Sequence, residues 1–503
     1  MQSGKLSIDP AFTVAPVNRR VFGSFVEHMG RCVYGGIFEP GHPTSDEDGL
    51  RGDVLELVRE LGVTAVRYPG GNFVSGYRWE DGVGPVEDRP TRLDAAWRTV
   101  ETNAFGLNEF MRWARKAEIE PIMAINLGTR GIDEALDLLE YANHAGGTTL
   151  SDLRIAHGQT EPHHITTWCL GNEMDGPWQL GHKTAEEYGR LAAETARALR
   201  QRQGGLDLVA CGSSGRQMPT FGTWERIVLE QTYDLVDHIS AHAYYELQGD
   251  DVASFLASSV DMDTFIRDVV ATADHVGAAL RSTKKIDIAF DEWNVWYQSA
   301  LASSSTDDPW TAAPRLSEDA YTVLDAVVVG SLLITLLRHS DRVSIACQAQ
   351  LVNTISSIRA EPGGPAWRQS IFHPFALTAR HARGQVLDLR VDAPTLPTAQ
   401  HGEVSVLDSV ATYDIQEGRV AVFVVNRDPS GPVAFTTDLR GFGDVTLTGA
   451  TLIADDDLTA ANTQEQPDRV APKAHPSATL DGTVLSAELP AASWSMFLLQ
   501  VER

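Results

Sequence analysis

Ile165-Thr166-Thr167-Trp168-Cys169-Leu170-Gly171-Asn172-Glu173-Met174-Asp175-Gly176-Pro177-Trp178 is the stretch whose reading decides the fold. Ile165–Leu170 is a short run of β-branched, aromatic and apolar residues, the texture of a strand buried on both faces. Gly171 breaks the run, and Asn172 and Glu173 follow where such a strand ends. A second segment repeats the grammar: Ile286-Asp287-Ile288-Ala289-Phe290, then Asp291-Glu292-Trp293-Asn294. In a (β/α)8 barrel the C-terminal ends of the strands form the active face, so a carboxylate there is a catalytic candidate. Two such glutamates are what glycosidic bond cleavage requires, one to give and take a proton and one to attack or to activate water.

Outward from these two segments the chain alternates strand and helix. Strands are expected at Phe22–Val26, Val63–Tyr68, Pro121–Asn126, Ile165–Leu170, Leu206–Cys211, His238–His242, Ile286–Phe290 and Val343–Cys347. Helical spacing is seen at Leu50–Leu61, Leu107–Glu118, Asp133–Asn143, Ala185–Arg200, Trp224–Thr232, Met262–Leu280, Glu318–Leu337 and Ser370–Ala382. Eight pairs in alternation predict an α/β fold, a (β/α)8 TIM barrel. From about Gly384 the helical period disappears. Short strands between Gly, Pro and Asp clusters, among them Val404–Leu407, Ala411–Ile415, Val420–Asn426, Val433–Thr437, Val445–Ala450 and Trp494–Val501, predict a C-terminal β-sandwich. Asp455–Ala474 reads as a polar loop within it. The expected domains are residues 1–18, whose strands add to the sandwich, 19–383 for the catalytic barrel, and 384–503 for the sandwich.

The 503 residues are 43% hydrophobic and 22% charged, ordinary for a soluble globular protein. A formal net charge of −27 argues against nucleic acid or anionic membrane as the main partner, because both need basic surface. The first residues carry no basic segment followed by an apolar core, so no secretory signal is expected. Val323–Leu337 is the most apolar stretch, yet it is shorter than the ~20 residues of a membrane span, and a buried barrel helix explains it better. Cys32, Cys169, Cys211 and Cys347 are scattered without a CxxC pair and read as free thiols in a reducing cytoplasm.

Polar residues gather at the expected strand ends: Glu27, Arg67, Asn72, Asn126, Asn172, Glu173, His242, Tyr244, Glu292 and Gln350. Each alone has a structural explanation. Glu173 or Glu292 would stabilise the first turn of a helix, and Asn172 would cap one. Together they outrun that explanation, because the barrel interior below them is apolar. His163, His164 and His242 lack metal-ligand spacing, and the first two precede their strand, so no metal is expected. Trp79, Trp97, Trp178, Trp293 and Trp296 fall in or beside the active-face loops. Trp97, Trp178 and Trp296 suit stacking on sugar rings, the alternative for any of them being the core. Pro69-Gly70-Gly71 lacks the pattern of a phosphate cradle.

Several longer motifs carry a resemblance. Phe22-Gly23-Ser24-Phe25-Val26-Glu27-His28, Arg67-Tyr68-Pro69-Gly70-Gly71-Asn72, Glu101-Thr102-Asn103-Ala104-Phe105-Gly106, Gly171–Trp178, Asp291–Tyr297 and Ala349-Gln350-Leu351-Val352-Asn353 resemble, in order, the family 51 α-L-arabinofuranosidases. The resemblance implies a retaining, exo-acting hydrolase of terminal L-arabinofuranosyl units of arabinan or arabinoxylan oligosaccharides. It needs no cofactor and is often a homohexamer. By position Glu173 would be the acid/base and Glu292 the nucleophile. Glu27, Asn72, Asn172, Tyr244 and Gln350 would hold the furanose and the nucleophile, with Trp97, Trp178 and Trp296 shaping the pocket and Arg67 and His242 also at the substrate. For retention the two carboxyl groups should lie ~5–5.5 Å apart, Glu292 ionised with Tyr244 as a donor, Glu173 protonated, and Asn172 on the sugar 2-hydroxyl. The Ser- and Asp-rich stretch Ser299–Pro314 is expected to influence leaving-group preference. The competing readings are a β-xylosidase or endo-glucanase on the same barrel, a non-catalytic carbohydrate-binding protein, and a metal-dependent barrel hydrolase.

Overall fold

The computed structural model describes residues 2–303 and 310–502. Eight parallel strands close a barrel. They are β1 (Gly23–Phe25), β2 (Ala65–Tyr68), β3 (Glu120–Ala124), β4 (Thr167–Leu170), β5 (Asp207–Ala210), β6 (His238–Tyr245), β7 (Asp287–Val295) and β8 (Val343–Gln348). Each strand pairs with the next in the chain, and β8 closes on β1 through Cys347–Gly23 and Gln348–Ser24. Parallel neighbours need long crossovers, which amphipathic helices such as Gly52–Leu61, Leu107–Ala117 and Ala185–Arg202 supply. Phe25, Ala65, Ile122, Cys169, Ala289 and Ile345 fill the barrel interior.

Three details differ from expectation. β6 and β7 run on to Tyr245 and Val295, so Tyr244 and Glu292 lie inside strands rather than after them. The apolar helix starts at Val323, not Glu318, where Thr322 and Asp325 form a capping box. A helix at Thr149–Ala156, unread in the sequence, follows Gly146-Gly147 and is capped by Thr148. Of the stretch Ser299–Pro314, residues 304–309 lie outside the described residues; Gln298–Ser303 is helical. Among the described residues no helix is long and apolar enough to cross a membrane.

Beyond the barrel two sheets face one another. One has five strands and the other seven. The N-terminal strands do not pair as a hairpin. Gln2–Ser7 runs parallel to Val433–Asp438 in the first sheet, while Thr13–Pro16 pairs with Gln385–Leu387 in the second. Val484–Leu489, which also joins the first sheet, escaped the sequence reading because Ala487 and Glu488 have weak strand preference. Val404 belongs to a small hairpin, Thr395–Thr398 with Gly402–Ser405, that projects from the sandwich.

Helix Val323–Arg338 lies between barrel and sandwich, which is why Val323–Leu337 are all buried. A Cβ at Gly330 would stand 2.2 Å from Trp494 of the sandwich, so only glycine permits this approach. Beside it Asp408 of the sandwich accepts from Arg427 at 2.6 Å, Ser331 at 2.6 Å and Arg338 at 2.9 Å. Asp408→Ala would leave the Arg427 guanidinium buried without its carboxylate, a change that costs ~3–5 kcal/mol. The expected result is a lower urea midpoint, partly restored in Asp408→Ala/Arg427→Met; an unchanged midpoint would show that the junction does not depend on this pair.

Candidate active site

The site forms where β4, β6 and β7 end. After Leu170 the chain leaves β4 through Gly171 at φ 95°, and Glu173 itself sits at φ 43°. That left-handed backbone is unusual outside glycine and costs on the order of 1–3 kcal/mol. Trp178 Nε1 donates to Glu173 Oε2 at 2.7 Å, and His242 Nδ1 lies 2.8 Å from Oε1.

β7 brings the second carboxylate by a different irregularity. Against β6, Ala289 and Glu292 pair with Ser240 and His242, so β7 holds one more residue than its neighbour over that span. The same slip occurs against β8, between Phe290 and Trp293. A β-bulge of this kind breaks the alternation of faces. Phe290 and Trp293 therefore pack outward in the helix-facing core, while Asp291 and Glu292 both turn toward Arg67 inside the barrel.

Arg67, at the end of β2, is 1% exposed. Its Nη1 donates to Glu292 Oε1 at 2.7 Å and its Nη2 to Asn172 Oδ1 at 2.6 Å, while Nε lies 3.1 Å from Asp291 Oδ2. Tyr244 donates its hydroxyl to the other Glu292 oxygen at 2.8 Å. Burial pushes the Glu292 carboxyl up, and His242 and Arg67 pull it back. Burial outweighs them, so the carboxyl stays above its ordinary value. His242 Nε2 lies 3.1 Å from Asp291, and its Nδ1 faces Glu292 at 3.5 Å as well as Glu173. Burial opposes a charged imidazole, but Glu292, Asp291 and Glu173 outweigh it and hold His242 well above its ordinary value.

A further carboxyl group closes the site. Glu27 Oε1 accepts from the Phe73 amide and from Trp97 Nε1, both at 2.9 Å, and Oε2 from Gln350 at 3.0 Å. Burial, with a contribution from Glu292, raises it to about 8. The reason for Gly70-Gly71 is now visible: a Cβ on Gly70 would meet Glu27 Cγ at 2.6 Å, and one on Gly71 would meet Glu292 Oε1 at 3.1 Å.

Glu27, Asn72, Trp97, Glu173, Trp178, His242, Tyr244, Glu292, Trp296 and Gln350 line one cavity of about 380 Å³, within the ~300–1,000 Å³ of ordinary small-ligand pockets. Two expected residues are not on its wall. Arg67 lies against the carboxylates and donates to Asn172 Oδ1, while Asn172 Nδ2 beside the site lacks a hydrogen-bond partner among the described residues. Asn126 instead caps a neighbouring turn through Gly128 and Thr129. Trp79 packs on Tyr141, and Trp293 is wholly buried. His28 stacks on Phe73 and bridges Glu101 and Tyr68. Sequence reading passed over Asp291, although an Asp-Glu pair between two aromatic residues within a strand was the signal of the bulge. It also passed over Ser214 and Gln217, in the loop after β5, and Gln298, which opens the short helix Gln298–Ser303, all on the cavity wall and without such a pattern.

Donor atoms of Glu173, His242 and Glu292 lie within 4.8 Å of one another, close enough to hold a small cation. The set fits one poorly, because the Arg67 guanidinium is already 2.7 Å from Glu292 and would face the cation. His163 is remote, against Asn108 at 3.0 Å.

The chain matches family models for the α-L-arabinofuranosidase 1 domain over residues 57–263 and for the α-L-arabinofuranosidase C-terminal domain over residues 291–493. It is 59% identical to an intracellular exo-α-(1→5)-L-arabinofuranosidase of Streptomyces lividans, over 98% of this chain and 75% of that protein. It is 53% identical to an exo-α-(1→6)-L-arabinofuranosidase of Bifidobacterium longum, over 98% of this chain and 97% of that protein. A solved family 51 α-L-arabinofuranosidase from Bifidobacterium longum superposes with a TM-score of 0.95 at 49% identity, over 99% of each chain. The chain belongs to the family 51 α-L-arabinofuranosidases, glycoside hydrolases built on a (β/α)8 barrel with a C-terminal β-sandwich.

The raised Glu27 carboxyl has a thermodynamic consequence. An acid whose folded pKa lies above its unfolded one binds its proton more tightly when folded. Stability is therefore lost as pH rises from the ordinary carboxylate value to about 8, and no further above it. Glu27→Gln removes this charge. Its melting temperature relative to wild type should climb between about pH 5 and about pH 8 and then level off; a constant difference across that window would place the Glu27 titration elsewhere.

Proposed function

We propose that the protein is a retaining, exo-acting α-L-arabinofuranosidase that releases terminal non-reducing L-arabinofuranosyl units from arabinan- or arabinoxylan-derived oligosaccharides by double displacement. The observation that carries the reading is the convergence of Glu173 and Glu292 on His242, with carboxylate oxygens within 4.8 Å of one another. Inverting enzymes keep their carboxyl groups ~6.5–9.5 Å apart to admit water, whereas retaining ones hold them ~5–5.5 Å apart.

In this reading Glu292 is the nucleophile. Arg67 and Tyr244 hold its two oxygens, so the attacking lone pair is aimed before substrate arrives. Glu173 gives its proton to the departing oxygen as the bond from the anomeric carbon to Glu292 forms. It then takes a proton from the water that releases the sugar. Trp178 and His242 fix both Glu173 oxygens, leaving rotation about the carboxyl group restricted while the proton moves. Asn172 is the donor to the sugar 2-hydroxyl; its free Nδ2 supports this, and such a bond strengthens as positive charge develops on the ring. Glu27, Asn72 and Gln350 bind the remaining hydroxyls, and Trp97, Trp178 and Trp296 enclose the ring.

The name of the Streptomyces lividans relative supports action on α-1,5-linked arabinan oligosaccharides and an intracellular, cytoplasmic location. The 1→6 label of the less identical Bifidobacterium longum relative makes the 1,6 linkage the comparison to run. Relatives at 48–59% identity carry arabinofuranosidase names, which favours this reading over a β-xylosidase or endo-glucanase.

Wild type should hydrolyse 4-nitrophenyl α-L-arabinofuranoside with EDTA present and leave the β-D-xyloside nearly untouched. Glu292→Ala should lose turnover on every substrate, by roughly 10⁴-fold or more. Glu173→Ala should retain a fast first step on the activated aryl leaving group and recover turnover with azide. Equal losses on good and poor leaving groups would remove Glu173 from the acid/base role. Release of the α-anomer, read by proton NMR before mutarotation, checks retention.

A further inference from the structure

A second cavity of about 570 Å³ adjoins the one that holds the carboxylates. The two share Tyr244, Trp296 and Gln298 as walls. The loop after β5 borders both, with Ser214 and Gln217 facing the first cavity and Arg216 facing the second. The far wall of the second cavity comes from the sandwich: Gln400 and His401, at the turn of the hairpin Thr395–Thr398 with Gly402–Ser405. The Gln400 amide anchors this turn to Ser254 of the barrel at 3.2 Å.

The chemistry of the walls selects a class of ligand. Arg216 is neutralised by Asp261 at 3.1 Å and Asp268 at 3.2 Å, and Asp261 also accepts from the Tyr245 hydroxyl. No unpaired cation among these contacts calls for an anion. The other polar walls are the Glu246 carboxylate, which accepts from Gln248 and Ser299, the His401 imidazole, and the amides and hydroxyl of Gln248, Gln298, Gln400 and Thr264, with the Trp296 indole at the shared edge. Walls that offer no unpaired cation to an anion, and that are rich in donors and acceptors beside an aromatic edge, suit a hydroxyl-rich, uncharged chain.

We propose that this chamber is a distal leaving-group subsite, which holds the second and third sugar units beyond the scissile bond of a neutral oligosaccharide. This rests on the glycosidase reading above. The leaving group must depart on the Glu173 side, where Ser214 and Gln217 form the wall, and passes over Gln298 and Trp296 into the chamber. The sandwich thereby takes part in choosing the length of the substrate, through a hairpin well separated in sequence from both glutamates.

The test compares 4-nitrophenyl α-L-arabinofuranoside, 1,5-arabinobiose and 1,5-arabinotetraose on the full chain. Wild-type kcat/KM should rise at least about fivefold from biose to tetraose. The double variant Gln248→Ala/Gln400→Ala should lower kcat/KM on the tetraose about tenfold, the loss of roughly one good hydrogen-bonded contact. The aryl glycoside and the biose should stay within about twofold. Wild-type rates independent of chain length, or a variant that loses all three substrates alike or none, would overturn the subsite. Absence of wild-type activity on the aryl arabinofuranoside would overturn the glycosidase reading itself, so the two failures are told apart.

Discussion

Arg67 is the residue on which the geometry of the site depends. A guanidinium that is 1% exposed must be matched by carboxylates, since an unpaired buried charge is far costlier than the pair. Here two adjacent acids meet it, Asp291 and Glu292, with Asn172 on its remaining face. His242 returns a second positive charge between Asp291, Glu292 and Glu173. Arg67 and His242 thus offset part of the burial that raises the Glu292 carboxyl. Loss of Arg67 would free more than one contact, because the same fork sets Glu292 and Asn172 at once.

The arrangement needs two departures from regular structure. A strand of strict alternation would send Asp291 and Glu292 to opposite faces, one into the barrel and the other among the surrounding helices. The bulge in β7 prevents this and lets consecutive acids share one cation. On β4 the departure is the left-handed backbone at Glu173 after Gly171, which turns the carboxyl group back over the strand end toward His242. Both irregularities sit at the candidate carboxylates, as expected when local strain is tolerated because packing around it is over-determined.

Much of this was legible in the sequence. The strand–helix alternation gave the barrel, and the break at Gly171 marked one active strand end. What could not be read was geometry that depends on neighbours in space. Nothing local distinguishes Arg67 as a buried fork from Arg67 as a substrate ligand; that follows from which acids face it across the barrel. Trp293 and Trp296 are three residues apart in one motif, yet one is core and the other cavity wall. The phase of the bulge decides between them. Strands of the sandwich such as Val484–Leu489 were missed where weak propensity is overridden by pairing on both sides.

The junction between the two domains bears on function as well as on stability. Helix Val323–Arg338 shares its apolar surface between barrel and sandwich, and Gly330 lets Trp494 approach its backbone. Tyr297, one residue beyond the cavity-lining Trp296, donates to Asp325 in the cap of this same helix at 2.8 Å. Asp325 is raised to about 6 by burial, against the hydrogen bonds of Thr322 and Tyr297 that draw it down. The helix that carries the sandwich therefore also ties down the segment after β7, next to Trp296 on the cavity wall. A rigid junction is what a hairpin of the sandwich needs if it is to form one wall of a chamber whose other walls belong to the barrel.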